Sequence, residues 1–141
     1  MNKFTRKKIE NYLYNYNYIN TKIKILVSAK KDYEYKQNYT RYIKNKSSSL
    51  EEQAIRNINI EKRILKLKKW QNLIKDILCE YRKTDKLKYY FIFFKYFKKK
   101  EPIIIEKKLN INTKKQKDIR NEILQYIFFV AIKRNILKEV D

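Results

Sequence analysis

Three apolar-periodic stretches decide the fold of this chain: KLKYYFIFFKYF at residues 86–97, EPIIIEKKL at residues 101–109, and TKKQKDIRNEILQYIFFVAIKRNIL at residues 113–137. We predict one helix for each stretch, with Asn110-Ile111-Asn112 as a three-residue turn before the third. A short helix, a tight turn and a longer basic helix form a helix-turn-helix unit, which places its last helix in the major groove of DNA. The order of the three stretches therefore favours a DNA-binding protein.

Local sequence signals mark where these helices begin. Asp85 is a suitable N-cap for the first helix. Pro102 suits the first turn of the second helix because its φ angle is already helical and its missing N–H is not needed there. The run TKKQ at residues 113–116 matches a capping box, so we predict Thr113 as the N-cap and Lys114 as the first residue of the third helix.

A helical wheel divides the third helix into a core face and an exposed face. The predicted core face consists of Ile119, Ile123, Tyr126, Ile127 and Val130. The predicted DNA-contact residues lie in the first turns of the third helix, outside this core face. They are Thr113, Lys114, Lys115, Gln116, Lys117, Arg120 and Asn121. Side chains of these types contact phosphates and base edges. The alternative is an ordinary solvated helix face, and Asp118 and Glu122 nearby would oppose phosphate.

The charge of the chain favours an anionic partner. Lys and Arg number 36 against 15 Asp and Glu, which gives a net charge of +21. Nucleic acid is the first candidate and an acidic membrane surface is the second. A very AT-rich coding sequence, which enriches Lys, Asn, Ile and Tyr, is an alternative source of this charge. The basic run Lys98-Lys99-Lys100 is interpreted either as a phosphate contact or as a charged loop.

Several function classes are disfavoured by what the sequence lacks. It contains no His and one Cys, Cys79, so it offers neither an internal disulfide nor a zinc cluster. It also has no Gly-rich phosphate loop and no spaced carboxylate pair, so we expect no enzymatic activity, no cofactor and no bound metal. Its longest apolar runs, at 89–94 and 126–132, are far below the ~18–20 residues that span a bilayer. Without a signal peptide pattern either, we expect a cytoplasmic protein.

The N-terminal half is predicted to form two long helices. The absence of Gly and the single Pro argue against a many-stranded β fold. Apolar residues repeat at spacings of three and four between Ile9 and Val27, and again between Ile60 and Tyr81. We predict helices over about 5–30 and 50–83, the second beginning at a capping box at Ser49. Between them we predict a loop at about 31–48, either irregular throughout or with a short helical piece. The two helices would form an antiparallel coiled-coil hairpin, or pair between two chains of a homodimer.

The predicted fold is therefore all-α, with a helical hairpin domain at residues 1–83 and a three-helix helix-turn-helix head at residues 84–141.

Ordered motifs along the chain resemble a known family. They are IENYLYNY at 9–16, SLEEQAI at 49–55, Ile64, Leu67, Ile74, Leu78, FKYF at 94–97, Ile104, LNI at 109–111, Ile119, Ile123 and Leu124. Together they resemble the small phage late-gene transcriptional activators of the RinA/ArpU type, whose C-terminal part is similar to region 4 of sigma-70 factors. The resemblance implies a phage or prophage transcription regulator that binds double-stranded promoter DNA and influences RNA polymerase. Residues 113–120 would then be its recognition element.

Two other classes of function stay open. One is a non-enzymatic helical adaptor that binds a protein partner, such as a polymerase subunit or a phage or plasmid protein, through the N-terminal hairpin. The other is a membrane-surface protein that uses its basic aromatic helices.

Overall fold

The computed structural model of the chain describes residues 1–44 and 47–138, with side chains described outside positions 33–49, and it is all-helical. Its α-helices are α1 (Lys3–Tyr14), α2 (Ile19–Lys44), α3 (Ser47–Thr84), α4 (Lys86–Ile92), α5 (Pro102–Leu109) and α6 (Thr113–Lys133). No strand occurs among the described residues, so the predicted all-α class is confirmed.

The first predicted helix, over about 5–30, is interrupted near Asn15. Helix α1 ends at Tyr14, and a 3₁₀ turn, Tyr16–Tyr18, precedes α2. The Asn15 backbone N–H donates to the Asn11 carbonyl at 3.0 Å, and its side-chain Nδ2 donates to the same oxygen at 2.8 Å. Short polar side chains compete for helical backbone groups in this way, and an apolar-periodicity argument does not register that competition.

The predicted loop at about 31–48 is also a correction, because the structure is helical at 31–44 and at 47–48. These residues have no apolar period, which is why a loop was predicted. They also include neither Gly nor Pro, so no residue among them breaks a helix. Because α3 begins at Ser47, Ser49 lies inside the helix and not at its N-cap.

The helices form two compact units. The first comprises Met1–Asn17 and Lys69–Asp141, and the second comprises Tyr18–Lys68. The predicted boundary near residue 83 therefore falls inside the first unit, because the C-terminal part of α3 belongs to the same core as α1, α4 and α6. Tyr12 of α1 stacks on Trp70 of α3 with ring centroids 4.4 Å apart. Besides Trp70, the fully buried side chains of this core include Ile9, Leu13, Leu73, Phe91, Ile92, Tyr96, Ile123, Leu124 and Ile127.

The aromatic segment at 86–97 is helical, but its geometry changes halfway. Asp85 caps α4 as predicted, and its Oδ1 accepts from the Lys88 N–H at 3.3 Å. After Ile92 the chain forms a π-helical turn, Phe93–Phe97. A π turn adds a residue to the local repeat and so rotates the faces of the helix. Within this turn Tyr96 is fully buried, whereas Tyr90 on the preceding helix α4 is exposed.

Helix α6 ends at Lys133, four residues before the predicted end. Asn135 has a positive φ of 58°. The Ile136 N–H donates to the Ala131 carbonyl at 2.8 Å, and the Asn135 N–H donates to the Ile132 carbonyl at 3.0 Å. This pair of hydrogen bonds is a Schellman motif, which reverses the chain and returns Leu137 to the core of the first unit.

Candidate nucleic-acid interface

The turn between α5 and α6 has the length that the sequence predicted. Asn110 adopts the left-handed conformation, with φ 56° and ψ 47°, at the end of α5. Asn tolerates this conformation better than other residues with a Cβ atom, so it takes the place that Gly often occupies. Ile111 is buried behind the turn. The two helices are therefore joined by a compact, locally stabilised connection.

The N-cap of α6 is Asn112 and not the predicted Thr113. Its side-chain oxygen accepts from the Lys115 N–H at 2.8 Å, and Thr113 is the first helical residue. Asn and Thr are both good N-caps, so the capping-box pattern could not separate two adjacent candidates. Thr113, Lys114, Lys115 and Lys117 are all exposed. These four of the predicted DNA-contact residues stand on the solvent side of the first turns of α6.

Gln116 lies in the interior instead. It is 6% exposed, and its Nε2 donates to the Pro102 carbonyl at 2.9 Å and to the Ile111 carbonyl at 3.4 Å. A buried amide is stable only when its polar atoms are paired, and these carbonyls provide that pairing. Gln116 therefore connects α6 to α5 and the turn, and it does not lie on the solvent side of α6 with the exposed lysines.

Arg120 and Asn121 face α1. The Arg120 Nε lies 3.2 Å from Glu10 Oε2, and its NH2 lies 2.6 Å from Glu10 Oε1. This hydrogen bonding with Glu10 raises the pKa of Arg120. Arg6 donates to the Asn121 side-chain oxygen. Both residues are half-buried and already paired within the protein, unlike the four exposed residues of the predicted DNA-contact set.

Tyr96 completes this internal polar cluster. Its hydroxyl donates to Glu10 Oε2 at 3.0 Å. Burial, reinforced by the negative charge of Glu10, raises the pKa of Tyr96 far above its ordinary value. We name Glu10, Tyr96 and Arg120 the Glu10 cluster, and it joins α1, the π turn and α6.

The wheel misplaced these residues because the buried face of α6 is rotated relative to the prediction. The buried residues are Gln116, Ile119, Ile123, Leu124, Ile127 and Ala131. Tyr126 and Val130, predicted to be core, are only half-buried. Contact with α1 covers the side of α6 that carries Arg120. A signal for this contact was present, because Glu10 is the only acid among the first 31 residues and adjoins the apolar Ile9.

The predicted phosphate contacts at Lys98, Lys99 and Lys100 are exposed. The segment has a defined backbone, since the Lys98 N–H donates to the Phe93 carbonyl and the Lys100 N–H to the Phe94 carbonyl, both at 2.9 Å. The Lys98 ammonium lies 5.5 Å from the centre of the Phe93 ring. The run is therefore an ordered basic segment directly before α5.

The Gln116 hydrogen bond joins two segments that each carry a lysine run. Lys100 lies two residues before Pro102. Because consecutive Cα atoms are ~3.8 Å apart, the Cα atoms of Lys100 and Pro102 lie within about 8 Å of each other. Lys115 and Lys117 flank Gln116 directly in the sequence. Because Gln116 donates to the Pro102 carbonyl at 2.9 Å, each run adjoins one residue of this contact in the sequence. We name the exposed lysines at 98–100, 114, 115 and 117 the lysine surface.

Two features are absent from the described residues. No helix there has the length and apolar character needed to cross a membrane. No group of three or more Cys, Asp or Glu side chains there is arranged to hold a metal ion. In comparisons with known proteins, no family model, no curated protein and no solved structure matches this chain.

Proposed function

We propose that this chain is a DNA-binding transcription regulator in which α5, the turn and α6 act as a helix-turn-helix. In this proposal the first turns of α6 enter the major groove, as they would in the phage activators that the sequence resembles. RNA polymerase is the second partner that the resemblance implies. The observation that carries the proposal is the exposure of the lysine surface, with Lys114, Lys115 and Lys117 in the first turns of α6.

The chemistry of the lysine surface favours contacts with phosphates. Lys114, Lys115 and Lys117 lie in the first turns of α6, where the positive end of the helix dipole also attracts anions. Lysines contribute affinity and position, whereas Arg, Asn and Gln supply most base discrimination. Because Gln116, Arg120 and Asn121 are paired internally, we expect this surface to contribute more to affinity than to sequence specificity.

The proposal includes the finer arrangement of the fold. In it, α2 and α3 form an antiparallel hairpin within residues 18–68, and the segment from Asp85 onward acts as the DNA-binding head. The hairpin supplies a second surface for a protein partner, while the head supplies the contact with DNA.

A charge-reversal experiment tests the proposal. We would measure binding to double-stranded DNA by fluorescence anisotropy at several salt concentrations, for the wild type and for Lys114→Glu with Lys117→Glu. The matched control is Lys75→Glu with Lys83→Glu, which makes the same change in net charge at exposed positions of α3. This control is needed because a chain of charge +21 attracts DNA without any specific surface.

We expect the α6 variant to lose affinity by about tenfold or more, and its plot of log K against log salt to become shallower by about two, because two phosphate contacts are lost. The control should stay close to the wild type. Equal losses in the two variants, or no loss in either, would contradict the proposal.

A further inference from the structure

The second unit, Tyr18–Lys68, carries a groove between α2 and α3. Val27, Lys30 and Lys31 of α2 line it on one side, and Glu61, Ile64, Leu65 and Lys68 of α3 line it on the other. Its volume of about 530 Å³ falls within the range of ~300–1,000 Å³ that is typical of ligand-binding clefts. The groove is therefore large enough to receive several side chains of a partner.

The floor of this groove is apolar and incompletely covered. Leu65 is 54% exposed, and Val27 and Ile64 are half-buried. Leaving such side chains in contact with water forgoes the hydrophobic free energy that their burial would release. A partner that covers Leu65 together with Val27 and Ile64 gains that free energy, so the groove favours an occupant with an apolar face.

The rim of the groove is positive. Lys30 is paired with Glu61, with 2.5 Å between Nζ and Oε1. That ion pair neutralises Glu61, the one acidic side chain of the lining, while Lys31 and Lys68 add two further positive charges. Residues 18–68 contain 13 Lys and Arg against 5 Asp and Glu, a net charge of +8. An occupant therefore has to be acidic around its apolar face.

We propose that this groove binds an acidic amphipathic helix of a partner protein. A helix that presents apolar residues at i, i+3, i+4 and i+7 matches the apolar floor, and flanking Glu or Asp residues match Lys31 and Lys68. A second copy of this chain would place its own lysines against that rim. Nucleic acid would satisfy the charge but leave Leu65 uncovered. This proposal is independent of DNA binding by α6.

The experiment uses the full chain and a labelled synthetic helix. The probe carries Leu at the i, i+3, i+4 and i+7 positions and Glu at most other positions, and binding is followed by fluorescence anisotropy. Two control peptides accompany it: one with Lys in place of every Glu, and one with the same composition in scrambled order. The chain variants are Leu65→Ser and Lys68→Glu. Their matched controls are Ile25→Ser and Lys66→Glu, at exposed positions of the same helices that do not line the groove.

We expect the acidic probe to bind and both control peptides to bind at least about tenfold more weakly. Leu65→Ser should weaken the probe about tenfold through lost apolar burial. Lys68→Glu should weaken it several-fold, with a smaller salt dependence than the wild type. Ile25→Ser and Lys66→Glu should bind like the wild type, and circular dichroism would check that every variant is folded.

Two results would overturn the proposal. The first is equal binding of the scrambled and ordered acidic peptides, which would mean that only net charge is sensed. The second is a wild-type dimer in sedimentation velocity that Leu65→Ser converts to monomer, which would make a second copy of the chain the occupant.

Discussion

The first two turns of α6 contain two groups of polar residues with opposite environments. Lys114, Lys115 and Lys117 are exposed. Gln116 and Arg120, interleaved with them in the sequence, are bonded to other parts of the protein. Both groups have side chains suited to DNA, and the environment of each residue decides which are available for binding.

The difference between the two groups follows from the partners that the rest of the fold provides. Arg120 meets the carboxylate of Glu10, and Gln116 meets carbonyl oxygens at the start of α5 and in the turn. A positive charge that is matched by a half-buried carboxylate contributes to the structure of the protein. The unmatched lysines of the same helix contribute to the field around it. In a chain of this charge, the environment of each basic side chain, and not the number of such side chains, therefore indicates where a functional surface lies.

The largest expected effect is on stability, in Glu10→Ala. Glu10 is 13% exposed and accepts hydrogen bonds from both Arg120 and Tyr96. Breaking a fully buried ion pair costs ~3–5 kcal/mol, and Arg120 is 34% exposed, so we expect a smaller loss, of about 2 kcal/mol, in the free energy of unfolding. Urea denaturation followed by circular dichroism would measure the loss.

The matched variant for this comparison is Lys117→Ala on the exposed side of α6. Its free energy of unfolding should lie within about 0.5 kcal/mol of the wild type, as for most surface substitutions. If Lys117→Ala destabilised the protein as much as Glu10→Ala, the division of α6 into an internal group and a surface group would be wrong.

The next effect concerns pH. Burial raises the pKa of Tyr96, so above the ordinary tyrosine pKa of ~10 the unfolded chain releases this proton while the folded chain retains it. The unfolded state then binds fewer protons, and stability falls as pH rises. The contribution of Tyr96 is complete below pH ~10 and is lost above it at about 1.4 kcal/mol per pH unit.

Stability measurements between pH 9 and 11 would test this expectation. Tyr96→Phe lacks the ionising hydroxyl, so its stability should decline less steeply with pH than that of the wild type. Tyr90→Phe, at an exposed position on α4, should decline like the wild type. Identical slopes for Tyr96→Phe and the wild type would contradict the role assigned to the Glu10 cluster.

Features that are set by residues close together in the sequence could mostly be predicted, whereas features that depend on residues far apart in the sequence could not. Asp85 and Pro102 mark helix starts through local rules, and the structure confirms both positions. Helix α1 ends at Tyr14, where the side chain of the C-cap residue Asn15 also donates to the Asn11 carbonyl, a local contact that apolar periodicity does not capture. The burial of Gln116 depends on its side-chain amide reaching the carbonyl oxygens of residues 102 and 111. Such a contact can be predicted only when the tertiary packing is known, and it is the reason that Gln116 lies in the interior and not with the exposed lysines.

The smallest expected effect is on DNA affinity, in Asp118→Asn. Asp118 is exposed on α6, four residues after Lys114 and beside Lys117, so its charge opposes that of the lysine surface. Removing one exposed carboxylate near the phosphates should raise affinity about two- to threefold at ~0.1 M salt, and the gain should diminish as salt screens the charge. Asp32→Asn makes the same change in net charge at an exposed position of the second unit and should leave affinity unchanged. A gain of equal size in both variants would show that DNA senses the total charge of the chain. A gain confined to Asp118→Asn would locate the DNA at the first turns of α6.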